Sequence, residues 1–118
     1  MGVHQMLFKM EYSRSVTITP CTGEDMYGTR TYGTPTTVKA CVDYLIKNIK
    51  DFRGNEFITS AWIAVPPATT VAINSQITLP DGSQPYIGSI GEGYDEEARE
   101  VLYKEIYVGR VAPGEGSL

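Results

Sequence analysis

The sequence predicts an all-β domain: a small antiparallel β-barrel or sandwich of about five to seven short strands, with one long loop and a mobile C-terminal tail. Three observations carry that prediction. The composition holds 12 Gly, 7 Pro and 8 Tyr in 118 residues, which favours turns and strands over long helices. Apolar residues recur at every second position in several segments, the period of a strand with one face buried. Turn-forming clusters such as Arg53-Gly54-Asn55 and Pro80-Asp81-Gly82-Ser83 separate those segments. A chain of 118 residues supports one hydrophobic core. Residues 14–109 are therefore read as one domain, between an N-terminal arm (1–13) and a flexible tail (110–118).

The first strand runs from Arg14 to Thr19, with Val16 and Ile18 on one face and Ser15, Thr17 and Thr19 on the other; Pro20 ends it. Residues 20–34 contain three glycines and no sustained period, and read as a long loop with room for a small hairpin. Loops of that length in compact domains tend to be functional or disordered, so this one is the first candidate for a contact element. Thr36 to Ile46 is the clearest strand: Val38, Ala40, Val42, Tyr44 and Ile46 share a face, opposite Lys39, Cys41 and Asp43.

From Glu56 to Val65, Phe57, Ala61, Ile63 and Val65 fall on one face and Ile58 and Trp62 on the other. Both faces are partly apolar, as expected of a strand covered either by another subunit or by a loop of its own domain. After Pro66-Pro67 the alternation resumes over Val71 to Leu79, and a short strand, Tyr86 to Ile90, leaves the Pro80 turn. Residues 91–99 read as a glycine loop or single turn leading into a strand from Val101 to Val108; a helix from Asp95 to about Glu105 is the alternative. The eight tyrosines suit an interface, because tyrosine offers a large rigid surface with a polar tip. Tyr27 and Tyr32, with Arg30 between them in the long loop, are candidate partner contacts, as are Ile58 and Trp62, while Tyr44 and Tyr86 are expected in the core.

Charge and chemistry narrow the function classes. The formal charge is −4, and no basic block offers a phosphate backbone the cations that drive counterion release. No apolar run approaches the ~20 residues that cross a bilayer, and His4, Gln5 and Lys9 interrupt the apolar start, so neither membrane insertion nor secretion is indicated. Cys21 and Cys41 lack metal-site spacing and read as reduced thiols; a bridge would require neighbouring strands. The lone histidine, His4, lies outside the domain, which leaves no imidazole there to activate a serine or cysteine. Gly28, Gly33, Gly88, Gly91 and Gly93 do not sit between a strand and a helix as a phosphate loop requires. No catalytic, cofactor-binding or metal-ligating residues are expected.

In order along the chain stand Val16-Thr17-Ile18, Asp25-Met26-Tyr27-Gly28, Tyr32-Gly33-Thr34-Pro35 and Val38-Lys39-Ala40-Cys41-Val42. There follow Phe52-Arg53-Gly54-Asn55-Glu56 before the strand through Trp62, then Ile77-Thr78-Leu79-Pro80-Asp81-Gly82, and Glu105-Ile106-Tyr107-Val108-Gly109. This layout, over residues 14–109, resembles the head-closure, or stopper, family of long-tailed bacteriophages. The resemblance implies a β-barrel subunit, made in the bacterial cytoplasm and placed in the virion neck. It would form a ring beneath the portal, close the DNA exit after packaging and offer a platform to the tail. It implies portal or adaptor proteins and tail proteins as partners, passage of DNA without sequence-specific binding, and no enzymatic activity or cofactor. In that family a loop that gates the channel commonly follows the strand matched by Val38 to Val42; here that connection, Asn48 to Glu56, is short. Tail-completion and minor capsid proteins carry similar patterns. An OB-like nucleic-acid-binding module is the reading from another class, since about five strands with aromatics also describe that fold.

Overall fold

The computed structural model describes residues 12–111. Nine strands run in chain order among them: β1 (Arg14–Thr19), β2 (Cys21–Glu24), β3 (Arg30–Tyr32), β4 (Thr36–Asp43), β5 (Asn48–Lys50), β6 (Glu56–Val65), β7 (Gln76–Thr78), β8 (Tyr86–Asp95) and β9 (Glu100–Val111). The fold is all-β: a strongly curled antiparallel half-barrel in the order β7-β1-β4-β6-β9-β8, with β5 also on β6 and a separate hairpin made by β2 and β3. Curling brings the ends of this order together. Just before β8, Gln84 donates to Thr78 Oγ1 of β7 at 3.1 Å and accepts from Gln76 Nε2 at 3.4 Å, so side chains bridge where no ladder forms.

The core lies inside the curl. Val16 and Ile18 of β1, Ala40 of β4, Ala61, Ile63 and Val65 of β6, Ile77 of β7, and Ile106 and Val108 of β9 are buried together, with Leu79 and Ile87. Alternation in β1 and β6 gave these inward faces correctly. Both sides of β6 are paired, with β9 along its whole length and with β4 and β5 on the other edge. β4 and β5 are one broken strand. The register moves by one residue between Asp43↔Trp62 and Asn48↔Ile58, and residues 44–47 bulge out to absorb it. Thr59 pins the bulge, its amide donating to the Lys47 carbonyl and its hydroxyl to the Leu45 carbonyl, both at 2.9 Å. The strand expected to reach Ile46 therefore stops at Asp43. Tyr44, expected in the core, is 46% exposed because the bulge breaks the parity that carried it inward.

The other departures have similar causes. Of the strand expected over 71–79 only Gln76–Thr78 is paired, since turns close between Pro66 and Thr69 and between Ala72 and Ser75. Val71 and Ile73 still pack on the core, without a ladder. The expected glycine loop is instead an extension of β8 to Asp95, followed by a turn over 96–99 into β9; the alternative helix is absent. The Asp95 carboxylate accepts the amides of Glu97 and Ala98 in that turn, and Arg99 ends it at φ 55°. Tyr86, also expected in the core, starts β8 at the sheet edge and is 72% exposed. Arg110 and Val111, assigned to the tail, belong to β9 opposite Ile58 and Phe57. The rest of the tail, and residues 1–11 of the arm, lie outside the described residues.

Candidate functional site

Residues 20–34, the expected long loop, form the hairpin β2–β3. Asp25 and Thr29 close its turn around a three-residue loop, Met26-Tyr27-Gly28, with the glycine in the left-handed region at φ 82°. Asp25 ties it: Oδ1 accepts the amides of Tyr27 and Thr29 at 2.9 Å, while the Asp25 amide donates to the Thr29 carbonyl and its carbonyl accepts from Gly28. Met26 and Tyr27 are thus held at the tip, 88% and 86% exposed. The turn joining β5 to β6 repeats this pattern atom for atom. In Asp51-Phe52-Arg53-Gly54-Asn55, Oδ1 of Asp51 accepts the amides of Arg53 and Asn55 at 2.9 and 2.8 Å, and Gly54 has φ 82°. Here the displayed pair is Phe52 and Arg53, with the guanidinium 5.0 Å from the ring centroid.

Between the hairpin and this second turn lies a cleft of about 490 Å³. Gly28, Arg30 and Tyr32 supply one part of its wall, Asp51, Phe52 and Arg53 another, and Gln84, Tyr86 and Val111 much of the rest. Four of the nine large apolar side chains exposed among the described residues, Tyr32, Phe52, Tyr86 and Val111, line this one cleft. Scattered exposed apolar side chains are normal on a protein surface; here four of them are gathered in one place.

The two arginines of the cleft differ. Arg30 donates from Nε to Glu24 Oε1 at 3.2 Å, and this bond, then Tyr32, hold its proton more tightly than usual. Arg53 has no carboxylate partner among the described residues, whose ion pairs are Arg30–Glu24 and Lys50–Glu56.

Of the expected contact residues, the structure brings Arg30 and Tyr32 to the cleft and places Tyr27 at the tip beside it. Ile58 and Trp62 do not line it. Both are half-buried on β6, where Trp62 donates to Glu105 Oε1 at 3.1 Å and meets the Tyr103 ring edge-on at 6.1 Å. Burial raises the Tyr103 hydroxyl above its ordinary pKa, with Glu105 and Tyr107 adding, and burial does the same for Tyr12 beside Cys41 and Tyr103. Lys47 sits 5.5 Å from the Tyr107 centroid on this aromatic face.

The sequence reading missed Phe52, Arg53, Gln84, Tyr86 and Val111 as site residues. The repeated Asp-x-x-Gly-x turn was the one local signal for the first two. Cys21 and Cys41 are free thiols, and no cluster of metal-ligating side chains occurs among the described residues. No helix among them is long and apolar enough to cross a membrane. Comparison of the whole chain with protein-family profiles and with curated proteins gives no match, so the geometry of the cleft and tip carries the functional reading.

Proposed function

We propose that this chain is a structural subunit of a phage head-to-tail junction, a ring component that docks beneath the portal, closes the DNA exit and offers a platform to the tail. The observation that carries the reading is the convergence of Tyr32, Phe52, Tyr86 and Val111 on one cleft beside an exposed Met26–Tyr27 tip. Rigid aromatic anchors beside a pocket are the usual energetic centre of a protein–protein contact. The layout of motifs over residues 14–109 supplies the phage context.

The test is genetic and structural together. Deleting the gene should leave filled heads that lose DNA and fail to join tails, and the wild-type protein supplied in trans should restore infectious particles. Intact virions from the deletion would end the proposal. The double variant Tyr27→Ala/Tyr32→Ala should melt within a few degrees of the parent, since Tyr27 has little packing to lose, yet complement poorly. Full complementation would remove these two tyrosines from the interface.

One observation favours the second reading, an OB-like module for single-stranded nucleic acid: the cleft combines Arg30 and Arg53 with Tyr32, Phe52 and Tyr86. Against it, Glu24 neutralises Arg30, and Asp51 shares the wall. Tight, salt-sensitive binding of single-stranded DNA in a low-salt titration would make this reading the better one.

A further inference from the structure

The surface of each chain has two apolar halves, one projecting and one recessed. One half is the Met26–Tyr27 tip, an apolar knob whose turn is fixed by the Asp25 carboxylate. The other is the cleft, open enough at about 490 Å³ for a large side chain and walled by exposed aromatic groups. The tip does not fill the cleft of its own chain, as the 86% exposure of Tyr27 shows.

We infer that the cleft of one copy receives the Met26–Tyr27 tip of a second copy. Charge supports this occupant over an unrelated apolar segment. Asp25 arrives with the tip, only its Oδ1 being used by the turn while Glu24 is taken by Arg30, and the receiving cleft presents Arg53, which no carboxylate of its own chain neutralises among the described residues. Desolvated at the contact, that arginine gains a carboxylate and Phe52 gains an apolar cover. Tip and cleft meet at Gly28, and each contact joins one tip to one cleft: two copies that exchange tips close a two-fold dimer, whereas copies that pass them on add head to tail until a ring closes, and the ring-subunit reading selects the second. The biological setting rests on the ring-subunit proposal above, but the measurement does not.

The experiment uses the purified full chain with Cys21→Ser and Cys41→Ser as background. One variant adds Met26→Cys at the tip and a second adds Gln84→Cys at the cleft, each checked to melt like the background protein. Under mild oxidation at high protein concentration, the mixture should give at least ten times the cross-linked dimer of either variant alone. Equal yields in the unmixed samples, or no cross-link in the mixture, would overturn the inference. Placing both cysteines in one chain should give a ladder beyond the dimer. A ladder that stops at the dimer would overturn head-to-tail propagation. Adding Arg53→Glu to the cleft variant should cut the mixed yield severalfold, and an unchanged yield would overturn the pairing with the acidic tip. If cross-links form while gene deletion leaves virions intact, the self-contact stands and the phage role falls. The reverse result removes the contact and keeps the role.

Discussion

Tyr103 lies across Gly93 on the neighbouring strand, so close that a Cβ on the glycine would collide with the ring, and Gly109 passes the Ile58 carbonyl of β6 just as closely. The two obstacles are not equivalent. A tyrosine ring can swing away, whereas a ladder carbonyl can move only with its strand. Gly93→Ala should therefore cost about 1–3 kcal/mol, the usual price of overpacking, and Gly109→Ala should cost more and lower soluble yield. Denaturant unfolding of the two variants checks the order, and equal losses would mean that β6 is softer than its pairing implies. Tyr103 also makes a pH prediction. Its folded pKa is raised above the ordinary 10.0 by burial, so the folded state favours the neutral phenol. That stabilisation is fully present below pH 10 and is lost as pH rises through the raised value. Melting temperature measured above pH 10 should fall less steeply in Tyr103→Phe than in the parent.

At the level of elements, matched turns do different work in different surroundings. Asp25 and Asp51 make the same pair of side-chain bonds to backbone amides, but Asp25 is exposed and Asp51 is 8% exposed. Asp51 is packed among its neighbours as well as bonded to the Arg53 and Asn55 amides, so Asp51→Ala loses buried contacts along with both bonds and should cost about 1–3 kcal/mol. Asp25→Ala should cost less than about 1 kcal/mol and instead speed proteolysis at Met26–Tyr27. Thermal melts and a protease time course separate the two. These turns also show what was legible in the sequence. Gly54 beside Asn55 and Gly82 after Pro80-Asp81 announced themselves as turns, whereas Gly28 was read only as part of a long loop because no clear alternation flanks it. Alternation identified the inward faces of β1 and β6, which depend on side-chain burial. Over 71–79 it named the core-facing side chains but not the extent of pairing, which depends on a partner strand being in register, and at Tyr44 it named the wrong side, because a one-residue bulge is invisible in a list of apolar positions. Phe52, Tyr86 and Val111 could not be grouped from sequence at all: distant in the chain, they meet only once β6, β8 and β9 are laid side by side.

For the molecule as a whole, the sheet is strongest in the middle and weakest at its seam. β6 and β9 are paired on both edges, while β7 has three residues and meets the region before β8 through glutamine side chains. Amide hydrogen exchange should be slowest in β6 and β9 and faster in β7, and exchange in β7 as slow as in β6 would point to a fully closed barrel. The central place of β9 also bears on how the protein is made. Its two neighbours, β6 and β8, are both translated before it. Until residues 100–111 emerge, the nascent chain presents two adjacent open strand edges, a template for pairing with other nascent chains on the same messenger. A chain stopped after Arg99 should accordingly go to inclusion bodies. A synthetic peptide spanning Glu100–Val111, supplied during refolding, should rescue its solubility by taking the vacant slot.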